Sequence, residues 1–406
     1  MRPVEVFDAG RLTGRTLGDV GAVARGVHRA TAARVFGALG PVAAPVRLLH
    51  DSISAVAYGS TEVGLRAVPA VAGAVGAGVQ AARGGGVSAY DSPRGRFALS
   101  AVSGILGDTV ARDHASLAPP LAVRTEDGPL RRSPAALRAD LDAATGRVVV
   151  FAHGLCESDM SWTIGAERHW GDPDVTYGSL LRRDAGWTPL YLTYNSGRHV
   201  SDNGRDLGAL LTEVLAGWPV PVTEVALVGH SMGGLVLRSA VAQSVGAAWT
   251  RSLRHMVFLG SPHLGAPLER AVHRASSTLA RTPETAPFAG FLRQRSVGVK
   301  DLRHGAIVAA DWEGVDLDED LPDRCTVVAF PTDVAVHAVG VTLAARPDSR
   351  LGRLAGDLLV TFDSAGSRGH ATRRLPSDDT LHFGGMHHFD LLDHPAVYDA
   401  LRAWLG

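Results

Sequence analysis

The chain has 406 residues, 46% of them hydrophobic, and its 40 Lys and Arg nearly cancel its 41 Asp and Glu, for a formal net charge of −1. That balance offers no basic excess to hold nucleic acid or an anionic bilayer, and two cysteines, Cys156 and Cys325, are too few for a disulfide framework. The length suits two or three domains, or one elaborated α/β domain with an addition.

The N-terminus, Met1 to Asp8, lacks a basic region followed by an apolar run, so no signal peptide is expected. Residues 1 to about 82 are expected to be helical. Val46, Leu49, Ile53 and Val56 draw one apolar stripe, and Val27, Thr31, Val35 and Leu39 a weaker one, with Gly40-Pro41 and Pro45 between them. Ala67 to Ala82, the least polar stretch, falls short of the ~18 to 20 apolar residues of a spanning helix. A soluble, cytoplasmic protein is therefore expected, with peripheral membrane contact left open and no prediction of oligomeric state. Arg83 to Gly86 and Asp91-Ser92-Pro93 signal a linker.

From about residue 120 short apolar runs alternate with amphipathic helices. Val148 to Ala152, Pro189 to Tyr194, Val225 to Val228, His255 to Leu259 and Cys325 to Phe330 are the five expected strands. Leu207, Leu210, Leu211, Val214 and Trp218 share one face of a helix between the second and third. Continuous apolar strands interleaved with helices predict an α/β fold, a mostly parallel sheet flanked by helices. Residues 266–322 interrupt the rhythm where a helical cap would be inserted. The expected division is thus an N-terminal helical region and linker over 1–115 and the α/β domain over 116–406.

The sharpest motif is Gly229-His230-Ser231-Met232-Gly233-Gly234, which follows the run Val225 to Val228 and precedes the helical Leu235 to Val241. Strand, tight turn and helix are the setting of a nucleophile elbow. Glycines at 229 and 233 supply the small flanks the turn needs, and the serine stands at a helix N-terminus that favours negative charge. An acyl-transfer serine also needs N–H donors for its oxyanion. Met232, directly after it, is one. Leu155 is the other, because His153-Gly154-Leu155 follows the first strand; His153 is expected to brace that loop.

A general base belongs in a loop before the last helix, which starts near Ala396. The candidates are His370, His382, His387, His388 and His394. His388 is favoured because Leu391 and Leu392 can anchor its loop, with His387 second. The acid must lie between serine and histidine. Asp357 and Asp333 fit equally by position, Asp363 less well.

Taken together, His153-Gly154-Leu155, Tyr194-Asn195-Ser196-Gly197, the Ser231 motif, Gly260-Ser261-Pro262-His263-Leu264-Gly265 and His388-Phe389-Asp390-Leu391-Leu392 resemble bacterial esterases and lipases of the α/β-hydrolase superfamily. The pattern is similar to that of actinobacterial lipase-like proteins related to GPI inositol-deacylases, and it covers roughly residues 120 to 406. The resemblance implies an α/β-hydrolase fold and a serine esterase or lipase that cleaves carboxylic, lipid-like esters through an acyl-enzyme, with no metal or cofactor. It implies that the acid sits in an Asp-Gly-Leu-Val motif, which Gly356-Asp357-Leu358-Leu359-Val360 approaches, and so selects Asp357; Leu358 departs from the motif's Gly. It also places the base directly before Phe389-Asp390-Leu391-Leu392, at His388. The same residues would serve an acyltransferase, and a non-catalytic scaffold docking through the N-terminal helices is a third reading.

Overall fold

A computed structural model describes residues 1–319, 322–349, 356–367, 373, 375, 376 and 380–406; the candidate His370 lies outside them. Among the described residues, eight strands form one sheet in the order β2-β1-β4-β3-β5-β6-β7-β8. They are β1 (Ala122–Thr125), β2 (Gly128–Pro129), β3 (Arg147–Ala152), β4 (Thr188–Thr193), β5 (Glu224–His230), β6 (Leu253–Leu259), β7 (Ala335–Thr342) and β8 (Thr380–Gly384). The pairs from β4 through β8 are all parallel, and β1 is antiparallel to β2 and β4. Alternate residues face opposite sides of a strand. Accordingly Val148, Val150 and Ala152 join one core with Leu207, Leu211 and Met256. Val149 and Phe151 join the other, with Trp162, Tyr177 and Leu401. Apolar residues on both faces are what continuous runs require of a sheet covered on both sides. This is the α/β-hydrolase fold.

Four of the five expected strands form. Cys325 to Phe330 does not; it joins no strand of the sheet. Thr326 N–H donates to Asp311 Oδ1 at 2.7 Å, and the Arg238 guanidinium lies 4.7 Å from the Phe330 ring. Val328 and Phe330 pack onto the core from outside the ladder, and an apolar run that covers a core reads in sequence like one that lies within it. The strand at this point is β7, which starts five residues later.

The chain groups into two compact units that do not follow the boundary expected near residue 115. One comprises Met1–Gly95, Asp108–Ala118 and Arg270–Arg295, the other Arg96–Gly107, Pro119–Glu269 and Ser296–Gly406. The expected cap is therefore divided, its residues 270–295 grouping with the N-terminal helices. Residues 96–107 group with the sheet for clear local reasons. Arg96 Nε meets Asp159 at 3.1 Å, Asn195 Nδ2 donates to Gly107 O at 2.8 Å, and Ser296 Oγ donates to Gly104 O at 2.6 Å.

The first unit is built on α1 (Pro3–Leu39) and α2 (Ala44–Ala82). Glycines four apart let the two backbones touch: a Cβ on Gly10 would lie 2.5 Å from Pro69 O and 2.6 Å from Gly73 Cα. Ion pairs Arg66–Asp19 (2.7 Å) and Arg25–Glu62 (2.9 Å) flank the seam. The expected stripe of α2 faces out, with Val46, Leu49, Ile53 and Val56 between 60% and 72% exposed. The helix extends far beyond the stretch Ala67 to Ala82, and Pro41–Ala82 is long and apolar enough, by length and composition, to cross a membrane.

Candidate active site

Strand β5 ends in the turn that carries Ser231, and the helix Met232–Gln243 starts at the next residue. Ser231 has φ +52° and ψ −126°, a left-handed backbone that costs an L-residue energy and marks a constrained site. Close packing holds it there. A Cβ on Gly229 would lie 2.5 Å from Gly234 Cα, and one on Gly233 would lie 2.2 Å from Ala152 O. Ser231 N–H donates to Leu259 O at 2.9 Å, tying the turn to β6.

Asp357 and His388 meet in the structure. His388 Nδ1 lies 2.5 Å from Asp357 Oδ2, and both residues are almost wholly buried. Asp357 Oδ1 accepts from Leu359 N–H at 2.9 Å and Val360 N–H at 2.7 Å, and Asp357 O accepts from His388 N–H at 3.2 Å. The carboxylate, held on three sides, puts the imidazole proton on Nδ1. Nε2 is left as the acceptor, and among the described residues it has no hydrogen-bond partner. Leu358, where the motif has Gly, adopts φ +86° and is 62% exposed. The turn keeps the shape that glycine would suit, and the leucine side chain points to open space.

His153-Gly154-Leu155 follows β3 and backs directly onto the serine. A Cβ on Gly154 would lie 2.9 Å from Ser231 Cβ. His153 braces the loop through Nδ1–H to Gly154 O at 2.8 Å and stacks on Tyr194 with ring centroids 4.2 Å apart. Cys156 turns the chain at φ +63°, and its N–H donates to Ser196 Oγ at 3.2 Å. Leu155 follows the Gly154 that backs onto Ser231, and Met232 takes the first helical position, where an N–H has no intrahelical partner.

The other described candidates sit as follows in the chain's elements. Asp333 precedes the N-terminal end of β7, whereas Asp357 follows that strand and Ser231 follows the C-terminal end of the parallel β5. Asp363 is in the short helix Phe362–Ala365. His387 is half-exposed and faces Asp390 at 3.4 Å. His382 meets Thr342 Oγ1 at 2.8 Å, and His394 Nδ1 accepts from Ala396 N–H at the start of the last helix.

One polar residue of the cluster is not signalled by the motifs. Glu157, 5% exposed, lies between the loop after β3 and the elbow. Its Oε2 accepts from Gly154 N–H at 2.7 Å, and its carboxylate lies 2.9 Å from His230 Nδ1. Burial pushes the Glu157 carboxyl up, but the charge and hydrogen bond of His230, with Gly154 N–H, outweigh it and hold it below its ordinary value. Burial likewise pushes His230 down, and Glu157 reverses that, leaving the imidazole above its ordinary value. The one available signal was a glutamate three residues past Gly154 in a loop that buries its neighbours.

Residues 143–329 match the family described as PGAP1-like alpha/beta domain. The chain is 34% identical over 139 residues to a triacylglycerol lipase of Burkholderia plantarii, a match covering 33% of this chain and 34% of that protein, so it spans about a third of the relative's length. Among solved structures, the mature Bacillus licheniformis lipase BlEst2 shares 20% identity with a TM-score of 0.41, covering 64% of this chain and 91% of that one. Carboxylesterase CesB of Bacillus subtilis shares 10% identity with a TM-score of 0.34, covering 64% and 83%. Likeness to structures at that level decides nothing about this chain. The sheet order, the elbow and the match of residues 143–329 to the PGAP1-like alpha/beta domain agree in describing an α/β-hydrolase fold.

Proposed function

We propose that this protein is a serine hydrolase of carboxylic esters with hydrophobic acyl groups, with Ser231 as nucleophile, His388 as general base and Asp357 as the group that orients it. The observation that carries this reading is the 2.5 Å contact of His388 Nδ1 with a carboxylate fixed by two backbone N–H groups, beside a serine held at positive φ. A carboxylate on Nδ1 sets the tautomer and stabilises the imidazolium that forms when Nε2 takes the serine proton. Ser231 Oγ attacks the acyl carbon, and the N–H groups of Leu155 and Met232 receive the oxyanion. His388 returns the proton to the leaving alkoxide, then takes one from water, which releases the acid and restores Ser231. The chemistry so assigned uses no metal or cofactor. The partial likeness to a triacylglycerol lipase supports an acyl ester as the substrate class.

A fluorophosphonate probe tests the nucleophile. It is expected to label the wild type at Ser231, and Ser231→Ala is expected to lose both labelling and ester turnover, the latter by ~10⁴-fold or more. Turnover of p-nitrophenyl esters of rising chain length reads the acyl preference. Equal labelling of the alanine variant rules the proposal out.

A further inference from the structure

We propose that Glu157 and His230 form a buried ion pair that positions the active site, locking the loop of Gly154 and Leu155 and the loop of His388 onto the Ser231 elbow. The inference rests on the hydrolase reading above, and it adds two residues that neither donate to nor attack the substrate.

The geometry of the His230 ring carries it. His230 is fully buried and immediately precedes Ser231. Its Nδ1 faces the Glu157 carboxylate at 2.9 Å and its Nε2 faces the backbone carbonyl of His388 at 3.2 Å. The His388 carbonyl can only accept, and Glu157 only accepts once ionised, the state favoured by the lowering of its carboxyl below the ordinary value. A neutral imidazole has one N–H and one lone pair, so in either tautomer it would set a lone pair against an oxygen. Only the imidazolium, with an N–H on each nitrogen, satisfies both contacts. The carboxylate in turn accepts from Gly154 N–H and from the His230 ring. The ordinary values of both groups are displaced in the matching sense, Glu157 downward and His230 upward.

The pair joins three segments distant in sequence. Glu157 holds Gly154 N–H, which fixes the peptide leading to Leu155. His230 is the elbow itself. Its other nitrogen holds the carbonyl of His388, whose ring centroid lies 4.7 Å away. The bridge therefore sets the spacing among nucleophile, oxyanion loop and base. Its charge matters as well. An unbalanced cation beside His388 would make the base harder to protonate, and the Glu157 carboxylate cancels it. The other titratable groups around the pair are Cys156 and Tyr194, both raised by burial and by Glu157 and so neutral, His153 just after β3, Asp159 beyond the Gly154 loop, and Asp357 and His388 themselves. Burial pushes the His153 imidazole down, so it stays neutral and does not compete for Glu157.

The test joins ¹⁵N-histidine NMR of the full chain to steady-state kinetics on p-nitrophenyl butyrate. In the wild type, His230 is expected to show two N–H protons from about pH 6 to about pH 8, persisting past the ordinary midpoint near 6.5. Glu157→Gln is expected to lose one of them and to lower kcat about 10²-fold, the scale for a small misplacement of reacting groups, with KM within about threefold of wild type. If that variant does not fold, Glu157→Gln/His230→Gln removes both buried charges together, and the same fall in kcat is expected. A residue that only supports the fold would lower the melting temperature and leave kcat per fluorophosphonate-reactive serine unchanged. A wild-type His230 with a single N–H at pH 7, or a folded variant with kcat within threefold of wild type, overturns the pair's role while the hydrolase reading stands. A wild type with neither ester turnover nor labelling of Ser231 removes the hydrolase reading and this role with it.

Discussion

The sheet unit and the helical hairpin are both rich in valine, leucine and alanine, yet they use them oppositely. In the sheet, Val148 to Ala152 are fully buried between two helical layers. In the hairpin, the regular stripe of α2 is mostly exposed, and the helices meet through glycines, charge pairs and backbone instead. Apolar periodicity thus identifies a face but not what covers it. A parallel strand is enclosed by the connections that make it parallel, whereas a lone amphipathic helix obtains no such cover from its own sequence.

The comparison breaks first on activity. If function belongs to the sheet unit, Asp357→Asn is expected to cut kcat by ~10⁴-fold while remaining folded by circular dichroism, as an orienting aspartate does in a serine protease. Asp333→Asn, at the other end of β7, is expected to stay within about twofold. A reversed pattern in kcat on an unactivated ester would mean that the His388–Asp357 contact is not the working one.

Stability sharpens the contrast. Leu227 is fully buried in β5, and Leu227→Ala is expected to cost about 2 to 5 kcal/mol by urea denaturation. In the hairpin the sensitive positions are the small ones. Gly10→Leu places atoms where Pro69 and Gly73 already lie, and a cost of about 1 to 3 kcal/mol in the helical transition, followed by circular dichroism, is expected. Ester turnover in that variant should match wild type; a large loss would tie the hairpin to catalysis. Leu358→Gly is expected to gain up to about 1 kcal/mol by relieving a left-handed leucine. Smallest of all, Ile53→Ala on the open stripe of α2 is expected to change stability by no more than about 0.5 kcal/mol. A loss of several kcal/mol there would show that something covers the stripe in solution.

What was legible in the sequence follows the same division. The strands β3 to β6, the elbow and the helix Val200–Ala216, which carries Leu207 to Val214 but ends before the expected Trp218, could be read because each element's pattern arises from its own burial. The pairing of Asp357 with His388 could not be derived from position, since 31 residues separate them and Asp333 fitted as well; only the likeness of residues 356–360 to a known motif distinguished the two. Cys325 to Phe330 misled because packing on a core and pairing within a sheet select the same side chains. The short strands β1, β2 and β8 were missed, as their residues are only partly buried and carry little apolar signal. Glu157 lay silent because a lone glutamate in a loop is ordinarily a surface residue, and its burial depends on a partner 73 residues away.

Gly154 has a consequence for inheritance. It has no side chain, but a Cβ there would lie 2.8 Å from Glu157 Oε1 and 2.9 Å from Ser231 Cβ, each neighbour belonging to a different segment of the chain. No single second change makes room, because shortening Glu157 leaves the serine in the way. In chimeras between this protein and a distant homologue, residues 153–157 and 229–234 should therefore travel as one block. A crossover that brings in one segment without the other joins two surfaces shaped for absent partners, however well each segment folds in its parent.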